Sequence, residues 1–348
     1  MLSTEEMESF RADLLRWFGV HRRDLPWRRT RDPYAIWISE IMLQQTRVAA
    51  VVPYYERFLA RFPDFEALAV APESDLLAHW AGLGYYYRAR NLQKAAQAMA
   101  ADGEFPSEHD RIRRLPGVGD YTSAAVASIA FNHPHAAVDG NVLRVLSRVF
   151  ADPTDIASAR GKKNFAFLAG AILDREQPGL FNQAMMELGA TVCLPRSPQC
   201  LLCPVSRLCQ ANRTGRQREF PFKLSKKKRV EEERTLFWIE HDSNVLLWQR
   251  GADSRLMPGF WELPERANIP SAVPIELIGS FLHGITFHHY RFEVMQAEAA
   301  DQGDGLEWIP VADLHALPVS TVLRKAARLV ERQRSATRLV SNAAPACG

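Results

Sequence analysis

The chain has 348 residues, 47% hydrophobic and 24% charged, with a formal net charge of +3. That length exceeds one ordinary domain and predicts two, while the balanced composition excludes disorder, collagen and coiled coil as the main organisation. No apolar run approaches the roughly 18–20 residues of a bilayer span, and the acidic start MLSTEEMESF has no basic stretch followed by an apolar one, so a cytoplasmic chain is expected.

Residues 1–212 read as helix throughout. Apolar residues recur at three- and four-residue spacing over 35–50, 54–62, 73–80, 88–101, 121–131, 141–150 and 160–173. Gly82, Gly84, Pro106, Pro116, Gly117, Gly119, Pro134 and Pro153 punctuate them. Residues 213–230 then carry a net charge of +7, so 213–232 is expected to be an exposed basic linker suited to meeting a polyanion. Beyond it TLFWIE, NVLLWQR, GFWELP, ELIGSFLHGITF, YRFEVMQAE and LEWIP alternate with turn formers and read as strands, before a helix from about Thr321 to Glu331. The expected architecture is an all-α region followed by an α+β domain over 233–348 with a flexible tail.

Four of the five cysteines, Cys193, Cys200, Cys203 and Cys209, fall in a C-x6-C-x2-C-x5-C array. In a reducing compartment this spacing favours metal over disulfides; four thiolates suit tetrahedral zinc or an iron–sulfur cluster, and the spacing leaves both open beside plain reduced thiols. Cys347 is read as a free thiol without a role. In LPGVGDYTS, Gly117, Val118 and Gly119 form a tight turn at the mouth of an Ala-rich helix, where outward N–H groups suit a phosphate. Glu40 shares an apolar helix face with Ile36 and Leu43, which should raise its pKa and make it a proton donor. Asp139, before Gly140 and Asn141 at a helix start, is a ready N-cap that should stay ionised. One acid kept protonated and one kept anionic is the division that cleaves glycosidic bonds through an oxocarbenium-like state.

Taken together, LPWRRTRDPYAIWISEIMLQQTRV, GLGYYYRARNL, LPGVGDYTSAAVASIA, AVDGNVLRVLSR, FNQAMMELGATVC and the cysteine array resemble the helix-hairpin-helix DNA glycosylases of the endonuclease III type, and more closely the adenine DNA glycosylase (MutY) family. The match is near-continuous from about Leu25 to Cys209. It implies a six-helix helix-hairpin-helix module over about 25–132, a cluster module from 1–24 plus 133–212, and one [4Fe-4S] cluster on the four cysteines. It also implies a substrate of double-stranded DNA with adenine mispaired with 8-oxoguanine or guanine, handled by a monomer. Under that resemblance Glu40 protonates the adenine leaving group and helps activate water, while Asp139 stabilises the sugar cation. Asn141 and Tyr121 support the two carboxylates. Trp27, Arg28, Leu43 and Glu187 match the adenine pocket, with core packing the plainer role for Trp27 and Leu43. Gln45 and Tyr85 match residues that wedge into the base stack. Where bifunctional relatives carry a lysine this chain has Tyr121, whose phenol cannot form a Schiff base, so the chain is expected to be monofunctional and to leave an abasic site.

The C-terminal domain resembles the Nudix-like 8-oxoguanine-recognition domain of the same family. Residues after Pro264 read ERANIPSAVPIEL and lack the Glu-rich helix of pyrophosphate hydrolases. The family's recognition loop is best matched by Phe287, His288 and His289, with His288 in place of a small hydroxyl residue. Two other readings stand beside the enzyme: a non-catalytic lesion-binding protein, disfavoured by the intact Glu40 and Asp139, and a glycosylase for thymine in T:G pairs, disfavoured by the C-terminal domain.

Overall fold

The structure, a computed structural model, describes residues 2–224, 230–251, 254, 257–285, 288–300 and 305–342. Lys226, Lys227, Lys228 and Arg229 of the basic strip, Phe287 and Cys347 lie outside the described residues. Contacts divide the chain into two compact units, Met1–Ala71 with Arg88–Lys226, and Pro72–Tyr87 with Lys227–Gly348. Residues 72–87, inside the stretch read as helical, thus group with the second unit, where the Tyr86 ring lies 4.2 Å from that of Phe260.

Helices follow one another from the start. They are α1 Thr4–His21, α2 Pro33–Leu43, α3 Val48–Arg61, α4 Phe65–Val70, α5 Glu73–Trp80, α6 Tyr87–Asp102, α7 His109–Arg113, α8 Asp120–Phe131, α9 Gly140–Val149, α10 Ala159–Ile172, α11 Pro178–Thr191 and α12 Gln210–Arg213. A capping box opens α1, with Ser3 and Glu6 satisfying each other's backbone N–H, and the Asp32 carboxylate caps α2. The single helix expected over 35–50 is interrupted between Leu43 and Val48, where Gln45 adopts a left-handed φ of 58°. No glycine or proline marks the break, so the sequence pattern runs through it.

Phe10, Leu14 and Phe18 of α1 pack with Val145, Leu146 and Val149 of α9, Phe165 and Leu168 of α10, and Phe181, Met185 and Leu188 of α11. The N-terminal helix therefore shares one core with the segment that leads to the cysteines. Helix α11 also approaches α9 without intervening side chains. A Cβ on Gly189 would lie 2.6 Å from the Cβ of Asn141, so a small residue is required there for α9 to start where it does.

In the second unit β1 Val230–Trp238 pairs in parallel with β6 His288–Glu298, which pairs antiparallel with β5 Val273–Ile285. A second sheet joins β2 Glu240–His241, β3 Asn244–Gln249 and β4 Trp261–Glu262, with β7 Leu306–Pro310 also pairing β3. Helix α13 Thr321–Asn342, longer than the sequence pattern predicts, lays Leu323, Ala326 and Val330 on the apolar side shared by Leu236, Val245 and Val294. Between β4 and β5 the chain forms turns and no helix, as the missing Glu-rich pattern implies.

Gly189→Ala should destabilise the protein by about 1–3 kcal/mol through overpacking against Asn141. Gly19→Ala, in α1 with open space around it, should be stabilising by about 0.5–1 kcal/mol. Urea unfolding of both variants checks the contrast.

Candidate active site

A cleft of about 730 Å³ opens in the first unit, and α2, the 44–48 turn, the hairpin before α8, the start of α9 and α11 all contribute to its wall. Ile36, Glu40 and Leu43 line it together, one turn apart on α2. Glu40 is only 5% exposed, and burial pushes its carboxyl up to about 7. The Tyr121 hydroxyl donates to Glu40 Oε2 at 2.6 Å and tempers that rise, while the charge of Asp139 adds to it. Burial, with Glu40 and Asp139 close by, raises the Tyr121 phenol well above its ordinary value, so it remains a donor. Met186 Sδ lies 3.1 Å from the same oxygen.

Asp139 caps α9. Its Oδ1 accepts from the Val142 N–H at 2.7 Å and its Oδ2 from Asn141 Nδ2 at 2.8 Å. Burial nonetheless leaves its pKa above the ordinary aspartate value, and the two hydrogen bonds limit the rise. Capping alone predicts no upward shift; desolvation in the cleft wall supplies it. Asn141 Oδ1 in turn accepts from Arg144 Nη2 at 2.8 Å, and Arg144 Nε donates to the Cys193 carbonyl at 2.8 Å.

Glu187 on α11 lines the cleft with 1% exposure, and Arg23 and Arg28 hold it. Arg23 Nε and Nη2 fork onto its two oxygens at 2.8 and 2.7 Å, and Arg28 Nη2 donates to Oε2 at 2.9 Å. Burial pushes this carboxyl up, but the two guanidiniums outweigh it and hold the group at about 2. Arg23 is absent from the sequence reading. It lies between two other charged residues in HRRDLP, where only its partner on α11, 164 residues away, distinguishes it.

Trp27 is buried with its ring edge-on to Tyr55 at 5.3 Å and also lines the cleft, so packing and lining coexist. Gln45 lines the cleft from its left-handed turn, and Tyr85 also has a positive φ of 49° but belongs to the second unit. In the hairpin Gly117 has a φ of 78°, and a Cβ there would sit 2.7 Å from Asn91 Cβ. Val118 departs from expectation: its N–H donates to the Leu115 carbonyl at 3.1 Å and closes the turn, so it is not offered outward. Gly119 starts α8 without a side-chain cap, which leaves the first-turn amides of that helix without partners of that kind.

Cys193, Cys200, Cys203 and Cys209 carry free thiols and together line a second, small cavity of about 20 Å³. Arg148, 1% exposed, donates to Cys193 Sγ at 3.2 Å and to the carbonyls of Leu194 and Pro195 at 2.7 and 2.9 Å. Burial and the neighbouring sulfurs push the Cys203 thiol up to about 12 and raise Cys209 as well. Four thiolates therefore share this space only with a multiply charged cationic centre between them. Among the described residues no three His, Cys, Asp or Glu side chains are grouped for a metal ion. All four cysteines nevertheless line one cavity, and four thiolates are the donor set that an iron–sulfur cluster takes.

In the second unit, His288 Nδ1 lies 2.7 Å from Glu232 Oε1 and its ring stacks on Tyr290 at 5.8 Å, whereas His289 is exposed. Strand alternation puts these two histidines on opposite sides of β6.

Residues 38–165 match the family model described as HhH-GPD superfamily base excision DNA repair protein. A solved thermostable thymine-DNA glycosylase is 33% identical with a TM-score of 0.56, covering 60% of this chain and 98% of its own. Endonuclease III in a non-covalent complex with DNA is 26% identical with a TM-score of 0.52, covering 62% and 99%. Fold and site thus define a helix-hairpin-helix base excision repair protein, a DNA glycosylase by class. The adenine DNA glycosylase of Mus musculus is 33% identical over 98% of this chain and 82% of its own length, a span that includes the second unit. The chain belongs to the adenine DNA glycosylase family.

Glu40 binds a proton more tightly folded, at about 7, than an ordinary glutamate at 4.5. The stabilisation this carries is complete below pH 4.5 and lost as pH rises through 7. Glu40→Gln, which does not titrate, should therefore gain stability relative to wild type by up to about 3 kcal/mol between pH 4.5 and 8. Urea titrations at the two pH values measure that difference; an offset independent of pH would contradict the burial of a titrating Glu40.

Proposed function

We propose that this enzyme is a monofunctional hydrolase that removes adenine mispaired with 8-oxoguanine or guanine from double-stranded DNA, acting as a cytoplasmic monomer and leaving an abasic site. The observation that carries this reading is the Glu40–Tyr121 pair, in which a buried carboxyl with a pKa of about 7 accepts from a phenol at 2.6 Å. Among the described residues that line the cleft there is no lysine to attack the sugar.

The scissile bond of a stacked adenine is out of reach, so the nucleotide must turn out of the duplex. In this reading Gly117, Gly119 and the first-turn amides of α8 bind backbone phosphates, and Gln45 fills the vacated stack. Trp27 and Leu43 supply apolar walls for the base, and the Arg28–Glu187 pair supplies its polar edge. Glu40, protonated at about neutral pH, gives its proton to the departing purine, and then as carboxylate helps draw a proton from water. Asp139, fixed by Asn141 and the Val142 amide, places negative charge against the oxocarbenium-like sugar.

The four cysteines fit a [4Fe-4S] cluster, and Cys193, Cys200, Cys203 and Cys209 would hold it. When bound it cross-links a loop that has little regular structure of its own. The second unit is read as the part that senses the base opposite adenine. There His288 is engaged by Glu232, so His289 and Phe287 are the better candidates for that contact.

Single-turnover reactions on a duplex with adenine opposite 8-oxoguanine should show strand breakage only after alkali. Glu40→Gln should lower the rate constant by about 10²-fold or more, and the wild-type rate should fall above pH 7 as the proton is lost. Breakage without alkali would mean a bifunctional enzyme; tight binding without cleavage would leave a lesion-binding protein. Purified protein should carry about four iron and four sulfide per chain. Cys203→Ser should lose both, and one zinc per chain would overturn the cluster assignment.

A further inference from the structure

The end of α2 sets the positions of Glu40, Leu43 and Gln45, and it is held in an unusual way. No glycine follows the helix; the residue in left-handed conformation is Gln45, at φ 58°, where a side chain is disfavoured. Such a backbone persists when its surroundings over-determine it. Here one buried side chain meets three of the carbonyls around the turn. Arg88, 3% exposed, directs Nη1 to the carbonyls of Ile41 at 2.8 Å, Met42 at 3.3 Å and Gln44 at 2.5 Å. The first two belong to the last turn of α2; the third is the peptide that leads into Gln45. Thr46 N–H takes the Leu43 carbonyl at 3.2 Å, and Gln44 Nε2 reaches Thr122 Oγ1 on α8 at 3.3 Å.

We propose that Arg88 is a positioning residue of the active site. Its guanidinium ends the Glu40 helix and holds Gln45 in the left-handed turn, so that one buried cation sets both the proton donor and the wedge. The charge meets the negative end of the helix dipole, and the bonds it makes are charge-assisted and shielded from water. Within the turn Thr46 Oγ1 also donates to the Gln44 carbonyl, at 3.3 Å, but the Ile41 and Met42 carbonyls belong to the last turn of α2 and face Arg88 on α6. The consequence for catalysis rests on the proposed function; the consequence for the turn does not.

The test compares Arg88→Met, which keeps the stem and loses the donors, with Arg88→Lys, which keeps the charge but reaches less far. Amide hydrogen exchange over residues 41–47 should speed up about tenfold or more in Arg88→Met, while α1 and α11 exchange as in wild type. The single-turnover rate should fall about ten- to a hundredfold, and Arg88→Lys, which reaches less far, should recover part of it and stay below wild type. Unchanged exchange at 41–47 in Arg88→Met overturns the proposal, as does faster exchange there with an unchanged rate. If Arg88→Met does not fold, Arg88→Lys decides: wild-type values of both readouts overturn the proposal, and partial losses of both support it. An inactive wild type would defeat the proposed function, and the exchange result would still decide whether Arg88 holds the turn.

Discussion

Every residue of α2 from Tyr34 to Met42 is buried, and Glu40 is among them. An ionised carboxylate at such a place would cost several kcal/mol without a partner; among the described residues the hydrogen bond to Glu40 comes from a neutral group, the Tyr121 hydroxyl, and the charge of Arg28 is a lesser influence. That choice of partner is the constraint on which the rest of the cleft depends. A guanidinium beside Glu40 would have made it a permanent anion; a phenol leaves its proton available near neutrality. The helix must then be buried on nearly all sides, α8 must bring Tyr121 against it, and the end of α2 must be fixed by a group that does not touch the acid.

Three carboxyls of the cleft wall, Glu40 and Glu187 buried and Asp139 partly so, illustrate how one wall can hold different charge states. Glu40 is desolvated with a neutral donor and rises to about 7. Glu187 is equally hidden but carries two guanidiniums and falls to about 2. Asp139 lies between them, raised by burial and restrained by an amide and an asparagine. Burial acts in the same direction on all three, so the partners decide the outcome. Such separation of acids by environment is the mark of a site that needs a donor and an anion at one pH.

Much of this was legible in the sequence. The glycine pair, the spacing of Ile36, Glu40 and Leu43, the Asp-Gly-Asn start of α9 and the cysteine array are local patterns, and local patterns survive in one dimension. What was not legible depends on partners distant in sequence. The resemblance singles out Arg28, but Arg23 looks like the arginines beside it until Glu187 arrives from α11. Arg88 lies in a tyrosine- and arginine-rich stretch whose periodicity says helix, and nothing in it announces two carbonyls on α2 and a third in the turn beyond it. The break at Gln45 escaped because a left-handed glutamine has no compositional signature. The role of the Val118 amide was hidden for a related reason: a turn with two glycines identifies exposed N–H groups only in the aggregate, and one of them closes the turn on the Leu115 carbonyl.

The cysteine loop and the carboxylates are often treated as separate parts of such a chain, but Arg144 joins them through ordinary hydrogen bonds. It spans from the carbonyl of Cys193 to Asn141 Oδ1 and the Gly189 carbonyl, each at 2.8 Å. Asn141 passes the connection to Asp139 Oδ2, also at 2.8 Å. Burial lowers the Arg144 pKa, which means its charge is tolerated there only because acceptors surround it. A loop that shifted at Cys193 would remove one of those acceptors and loosen the guanidinium that holds Asn141, the partner of the Asp139 carboxylate. Gly189 adds the steric half of the same argument, because α11 can bring its carbonyl to Arg144 only where no side chain separates it from Asn141. The geometry of Asp139 is therefore set partly by the loop that holds the four thiols, and order in that loop is a condition for order at the site.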